Sequence, residues 1–140
     1  MEFEAARAPE QARGELSLRI DGGEMGLRPS FEAITAFERE TGKGLLLLAR
    51  EALSGSLTLG ETAQIACQCI RAWGRDTGSI GAKGARADRI AELILESDGG
   101  IREALATVAG LLSLAATGGY SAKGEAKAAT METGTPPDAA

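Results

Sequence analysis

The segment from Gly14 to Gly42 constrains the fold of this chain most strongly, because it predicts a β-hairpin that leads directly into a helix. Apolar and polar residues alternate between Leu16 and Ile20, which is typical of a half-buried strand. Asp21-Gly22-Gly23 then favours a tight turn, because aspartate and glycine tolerate positive φ angles. A two-stranded hairpin is only marginally stable by itself. We therefore expect it to pack on helices or to join the sheet of another chain.

The first helix is predicted to begin at Arg28-Pro29-Ser30 and to end at Gly42. Ser30 is a favourable N-cap, and Glu32 places a negative charge in the first turn, where the helix dipole favours it. Three large apolar side chains recur at helical spacing and predict the buried face. These are Phe31, Ile34 and Phe37.

Four more helices are predicted after Gly42. A leucine-rich run from Gly44 to Ser54 is apolar on all sides, which indicates a buried helix. Thr58-Leu59-Gly60-Glu61 fits a capping box and begins an amphipathic helix that we expect to end at Gly74. Two further helices are predicted at Ala85–Ser97 and Ile101–Thr117. The expected fold class is mainly α with a small N-terminal β-hairpin (α+β), with about five short helices around one core rich in leucine and alanine.

The chain divides into three predicted regions. Residues 1–13 lack periodicity and are expected to be a flexible N-terminus, and residues 14–117 to form a single globular domain. Residues 118–140 turn to Ala, Gly, Lys, Glu, Thr and Pro and are expected to be a disordered tail. The glycine-rich stretch at residues 75–84 is expected to be a flexible connection between helices.

Composition argues against several classes of function. The formal net charge of −5 argues against a nucleic-acid partner, which requires a basic face. The absence of histidine removes the commonest general base and metal ligand. Cys67 and Cys69 would point to nearly opposite sides of a helix, so we expect apolar fillers in a reduced protein and neither a metal site nor a disulfide. No apolar stretch is long enough to span a membrane. We expect no catalytic residue, no cofactor and no metal.

Glycine-rich and acidic motifs give no argument for an enzyme. The stretch Thr41–Gly44 lacks the spacing of a phosphate-binding loop. The stretch Gly78–Gly84 is predicted to lie between helices, whereas a dinucleotide-binding fingerprint follows a strand. Asp88 and Glu92 lie one helical turn apart, but two exposed carboxylates without an apolar pocket do not form an acid–base pair.

Three residues of the hairpin–helix segment are structural or interface candidates: Arg28, Phe31 and Glu38. Glu38 falls on the predicted apolar face of the first helix, where a carboxylate must be paired or hydrogen-bonded. Arg28 is the nearest candidate partner in sequence. Two interpretations stay open, a structural ion pair that ties the hairpin to the helix and a contact to a partner protein.

The same segment carries a recognisable pattern of a glycine–glutamate strand opening, a short turn, a Leu-Arg-Pro-Ser-Phe run and a helix that ends in Phe-Glu-x-x-Thr-Gly. The residues are Gly14-Glu15, Leu27-Arg28-Pro29-Ser30-Phe31-Glu32-Ala33-Ile34, Phe37-Glu38 and Thr41-Gly42. This pattern resembles the small gene-transfer-agent-like family of phage tail proteins, classed with tail assembly chaperones. The resemblance covers about residues 13–117, because Leu45–Leu48, Gly55–Thr58, Trp73-Gly74 and Ala104–Ala116 follow in the family's order.

The resemblance implies a non-catalytic tail assembly chaperone that binds the tape measure protein during tail morphogenesis. Its expected partners are that protein, the tail tube protein and further copies of itself. Its expected place is the cytoplasm of the bacterial host during assembly, and not the mature particle. The alternative is a structural tail component, a tail tube or terminator subunit, for which we expect more strand than one hairpin. A third hypothesis, an acidic regulatory protein that mimics nucleic acid, finds little support in a charge that is modest and spread out.

Overall fold

The computed structural model describes residues 16–127. Within them, a two-stranded antiparallel hairpin precedes six helices, which confirms the predicted mainly α, α+β fold class. The strands are β1 (Leu16–Ile20) and β2 (Gly23–Leu27). The helices are α1 (Phe31–Thr41), α2 (Leu45–Ser54), α3 (Leu59–Thr77), α4 (Ile80–Lys83), α5 (Ala87–Glu96) and α6 (Gly100–Ala116).

The hairpin forms as the sequence predicts, with Leu16 opposite Leu27 and Ile20 opposite Gly23. Asp21 and Gly22 connect the strands with φ angles of 54° and 74°. Positive φ at both central residues matches the right-handed twist of the flanking strands, as in a type I′ turn. One face of the hairpin is buried in the core. It carries Leu18, Ile20, Met25 and Leu27.

Helix α3 is the central element of the fold and contacts β2, α1, α4, α5 and α6. The predicted capping box begins it: Thr58 Oγ1 accepts a hydrogen bond from the Glu61 N–H, and Glu61 Oε1 accepts one from the Thr58 N–H, each at 3.0 Å. Because neighbours surround α3, its buried residues occupy most of its circumference. They include Ile65, Ala66, Cys67, Cys69, Ile70 and Trp73.

Helix α3 does not end at Gly74 as predicted. It continues to Thr77, and Gly78 provides the left-handed C-cap with φ of 80°. Gly74 serves close packing instead, because a Cβ atom there would lie 2.7 Å from the Cβ of Ala82 on α4. A glycine inside a helix costs only about 1 kcal/mol relative to alanine, which tight packing of a neighbouring element can offset. The expected glycine-rich connection therefore contains the end of α3 and the short helix α4.

Helix α2 is half-buried, although the leucine-rich run predicts a fully buried helix. Leu48, Ala49 and Ala52 are buried, whereas Leu46 and Leu53 are 67% and 71% exposed. The physical reason is that α2 packs chiefly against one neighbour, α6, so a single face of the helix is covered.

A segment that we name the C-terminal strap, residues 118–127, follows α6 and folds back on itself. Tyr120 and Ala126 form an isolated antiparallel bridge. The Ser121 N–H donates to the Glu125 carbonyl at 2.8 Å, and the Lys127 N–H donates to the Gly119 carbonyl at 3.0 Å. The sequence predicts disorder for residues 118–140, but residues 118–127 form these backbone hydrogen bonds in the structure. The other residues expected to be flexible or disordered, 1–13 and 128–140, lie outside the described residues.

Helices long and apolar enough to cross a membrane are absent between residues 16 and 127.

Candidate interaction site

The junction between β2 and α1 is buried and fixed on both sides. The Arg28 N–H donates to the Cys69 carbonyl of α3 at 3.1 Å. The Ser30 hydroxyl accepts a hydrogen bond from the Ala33 N–H at 3.1 Å, which confirms the predicted N-cap of α1. Backbone pairing on one side and the cap on the other set the position of the Arg28 side chain.

The guanidinium of Arg28 links three separate parts of the chain, and its side chain is only 10% exposed. Nη2 donates to Oδ2 of Asp76, in the last turn of α3, at 2.8 Å. Nη1 lies 3.4 Å from the Lys123 carbonyl oxygen and 3.7 Å from Oε2 of Glu125, both in the strap. A buried cation needs such compensation, because its removal from water is costly. The site therefore consists of the junction, the end of α3 and the strap.

Glu38 does not pair with Arg28, so the expected ion pair is wrong. Its Oε2 instead accepts a hydrogen bond from the Leu45 N–H at 2.9 Å, at the first residue of α2. Glu38 lies seven residues after Phe31, about 10 Å along the helix axis from the end of α1 that adjoins Arg28. Gly44, the N-cap of α2, has no side chain with which to cap that helix. Glu38 supplies this acceptor from the preceding helix, where the α2 dipole also favours a negative charge.

The helical spacing predicted that Phe31 lies on the buried face of α1. This prediction is wrong, because the Phe31 side chain is 64% exposed. The buried positions of that helix are Ala33 and Phe37. As the first residue of α1, Phe31 has a backbone N–H outside the intrahelical pattern. That N–H donates to the Ala122 carbonyl of the strap at 2.7 Å. Whether the exposed ring contacts a partner protein stays a prediction.

Gly124 brings the strap into close contact with the junction. Its φ angle is 83°, which disfavours a residue with a side chain. A Cβ atom at this position would lie 2.6 Å from Cγ of Arg28 and 2.7 Å from the backbone nitrogen of Ser30. The strap is therefore fitted to the junction by shape as well as by hydrogen bonds.

Tyr120 anchors the beginning of the strap. Its side chain is half-buried, and this burial raises the pKa of the phenol to about 12, with nearby Cys69 as the lesser cause. Cys69 and its neighbour Cys67 are buried free thiols, and burial raises the pKa of both. The two cysteines are core residues, as the sequence predicts, and thiolates are strongly disfavoured there.

A second cluster of charges, which the sequence did not indicate, joins the α1–α2 loop to the start of α3. Lys43 Nζ lies 2.7 Å from Oε2 of Glu61 and 3.0 Å from Oε1 of Glu51. The hydrogen bond to Glu61 is the main cause that raises the pKa of Lys43, and the hydrogen bond to Glu51 is the second. In turn, the hydrogen bond from Lys43 lowers the pKa of Glu61. The capping-box glutamate therefore has two roles. The sequence signals only the local one, because the loop lysine is brought to it by tertiary packing.

The sequence model of one protein family matches residues 13–118 and is described as phage tail tube protein, GTA-gp10. No curated protein and no solved structure matches the chain. The matched segment begins before the hairpin and ends at the first residue of the strap. It covers about three quarters of the chain and includes the hairpin–helix pattern on which the resemblance rests.

The match corrects the functional hypothesis drawn from that resemblance. The expected family of gene-transfer-agent-like tail proteins is confirmed, but the role of tail assembly chaperone is wrong, because the family is described as a tail tube protein. The small amount of strand, which had favoured a chaperone over a tube subunit, is outweighed by this match over all six helices and the hairpin. The chain belongs to the family of phage tail tube proteins related to GTA-gp10.

Proposed function

We propose that this protein is a structural subunit of the tube of a phage-type tail and that it is not an enzyme. The observation that carries the proposal is the family match over residues 13–118. A tube subunit works by contacts with its neighbours and needs no reacting group.

The hairpin supports this proposal, because it can supply the strands of a shared sheet. Among residues 16–127 the sheet has two strands, and β1 has β2 as its one strand partner. An unpaired strand edge is a template for the strand of another chain. Hairpins from successive copies could therefore build a continuous wall. This arrangement accounts for how a mainly helical chain with only two strands can contribute to a tube.

Further copies of the chain are the main partners under this proposal. The tape measure protein, which the family resemblance names as a partner, would lie inside the tube and contact its inner wall. The subunit would be made in the bacterial host cytoplasm and would remain in the finished particle. No nucleic-acid or membrane partner is needed for this role.

The proposal is tested by the composition of purified particles. Tails isolated from the phage or gene-transfer-agent system that encodes the chain would be analysed by quantitative mass spectrometry, with a known tail protein as the internal standard. We expect many copies of the chain per tail and their retention through gradient purification. Intact tails without this chain would overturn the proposal, as would a single copy at one end of the tail.

A further inference from the structure

We infer that the C-terminal strap also binds between copies, so that the strap of one molecule occupies the Arg28 groove of a neighbouring one. The Arg28 groove is the surface formed by Arg28, Ser30, Phe31 and Asp76, on which the strap lies in the isolated chain. This inference rests on the proposed function only in taking a second copy as the neighbour. It assigns the assembly contact to a segment that lies almost wholly beyond the matched residues 13–118.

The strap is a self-contained unit. Its bridge between Tyr120 and Ala126 and its backbone hydrogen bonds from Ser121 and Lys127 all lie within residues 118–127. Its turn is closed by the Gly124 N–H, which donates to the Ser121 carbonyl at 2.9 Å. A segment that keeps its own hydrogen bonds can leave one groove and enter an identical one without refolding.

The groove exists independently of the strap. Its position is set by the Arg28 N–H bond to Cys69, the Ser30 cap and the Arg28–Asp76 ion pair, and all three join residues before the strap. The strap adds the Ala122 carbonyl at 2.7 Å from the Phe31 nitrogen, the Lys123 carbonyl and the Glu125 carboxylate. These contacts are made by atoms of the strap that any copy presents in the same order.

The connection to α6 provides a hinge. Gly118 has a φ angle of 82°, and Gly118 and Gly119 are the residues between Thr117 and Tyr120. A change of φ and ψ at these glycines would redirect the strap, because glycine readily adopts both positive and negative φ. Exchange of an identical element preserves every contact of the closed form, so it is a low-cost route to association.

Charge and exposure favour a second copy as the occupant. Glu125 faces Arg28, while Lys123 lines the same groove as Glu32 and Asp76, so the strap and the groove carry complementary charges. With the strap bound, the Phe31 ring beside the groove is still 64% exposed. A neighbouring molecule that donates its strap would bring its own surface over this ring. Donation in one direction also forms a heterologous contact, which generates rings or open filaments.

Cysteine pairing tests the exchange directly. One chain carries Phe31→Cys and a second, differently tagged chain carries Ala122→Cys, and the two are co-expressed and mildly oxidised. The native thiols can remain, because Cys67 and Cys69 are buried. We expect a disulfide-linked heterodimer. In the matched control, the second chain carries Ala106→Cys, at an exposed position on α6, in place of Ala122→Cys. This control should give little disulfide-linked heterodimer. A heterodimer yield no higher than that of the control would overturn the exchange.

The mass of the full chain in solution gives a second, independent readout. We expect the wild type to associate as its concentration rises, and a variant that ends at Thr117, and so has no strap to donate, to associate at least tenfold more weakly. A variant that ends at Lys127 keeps the strap and should behave like the wild type. A wild type that stays monomeric at every concentration, or equal association of both variants, would count against the exchange. Either result leaves the presence of the chain in purified tails unaffected.

Discussion

The guanidinium of Arg28 lies 2.8 Å from the carboxylate of Asp76, across 48 residues of sequence. Arg28 directly follows β2 and Asp76 lies in the last turn of α3, so this ion pair fixes the junction on which α1 begins. Arg28 is nearly buried, whereas the Asp76 side chain is 45% exposed.

Asp76→Ala should therefore destabilise the domain. The substitution removes the closest carboxylate from a buried cation, and we expect a loss of about 1–3 kcal/mol in the free energy of unfolding. Urea denaturation followed by circular dichroism measures this loss. Asp98→Ala, at an exposed aspartate between α5 and α6, is the matched control and should change little. Equal midpoints for the two variants would show that the Arg28–Asp76 pair does not stabilise the fold.

Glu38→Ala should destabilise the start of α2, since Glu38 Oε2 accepts the Leu45 N–H. Loss of a capping acceptor costs about 0.5–2 kcal/mol. Glu38→Gln retains an oxygen acceptor and should recover most of that stability, although it loses the charge that the helix dipole favours. Thermal denaturation of the three proteins checks the order wild type, Gln, Ala. If Glu38→Ala melts with the wild type, the carboxylate is not needed as a cap.

Gly26→Ala should destabilise the packing of β2 on α3. A Cβ atom at Gly26 would overlap the indole ring of Trp73, which is fully buried. Overpacking of this kind costs about 1–3 kcal/mol. The control is Gly23→Ala in the same strand, where a Cβ atom would meet nothing within 4 Å. Chemical denaturation monitored by tryptophan fluorescence would report both stability and the environment of Trp73. A Gly26→Ala protein as stable as the control would contradict the close packing.

The Lys43–Glu61 ion pair should make stability depend on acidic pH. In the folded protein, the hydrogen bond from Lys43 lowers the pKa of Glu61 below its ordinary value of 4.5. The unfolded chain then binds a proton to this carboxylate more readily than the folded chain does, so acid favours unfolding. The contribution is present above pH 4.5 and is lost as the pH falls through the lowered pKa.

Glu61→Gln isolates this effect, because glutamine keeps an oxygen for the capping box with Thr58. We expect wild type to be more stable than Glu61→Gln at pH 7, and this difference in unfolding free energy to shrink as the pH is lowered below 4.5. Urea denaturation at a series of pH values measures the difference. A difference that stays constant down to pH 3 would contradict the lowered pKa.

Local hydrogen bonding explains what the sequence predicts correctly. The Ser30 cap, the Thr58–Glu61 capping box and the left-handed Gly42 each depend on residues within four positions, so their residue types suffice to identify them. The Asp21-Gly22 turn is local in the same way. These signals place the hairpin and the starts of α1 and α3, and the sequence pattern around them also identifies the tail protein family.

Packing between distant elements decided what the sequence could not predict. Arg28 selects Asp76 rather than Glu38 because the end of α3 lies beside the junction, whereas Glu38 lies about two helical turns along α1 from it. Leu46 is exposed because α2 packs chiefly on one neighbour, and Gly74 continues a helix because α4 lies against it. The sequence by itself determined the hairpin, five of the six helices and the family of this protein. The tertiary structure decided which side chains meet, because ion pairs and burial depend on distances in space between residues far apart in the chain.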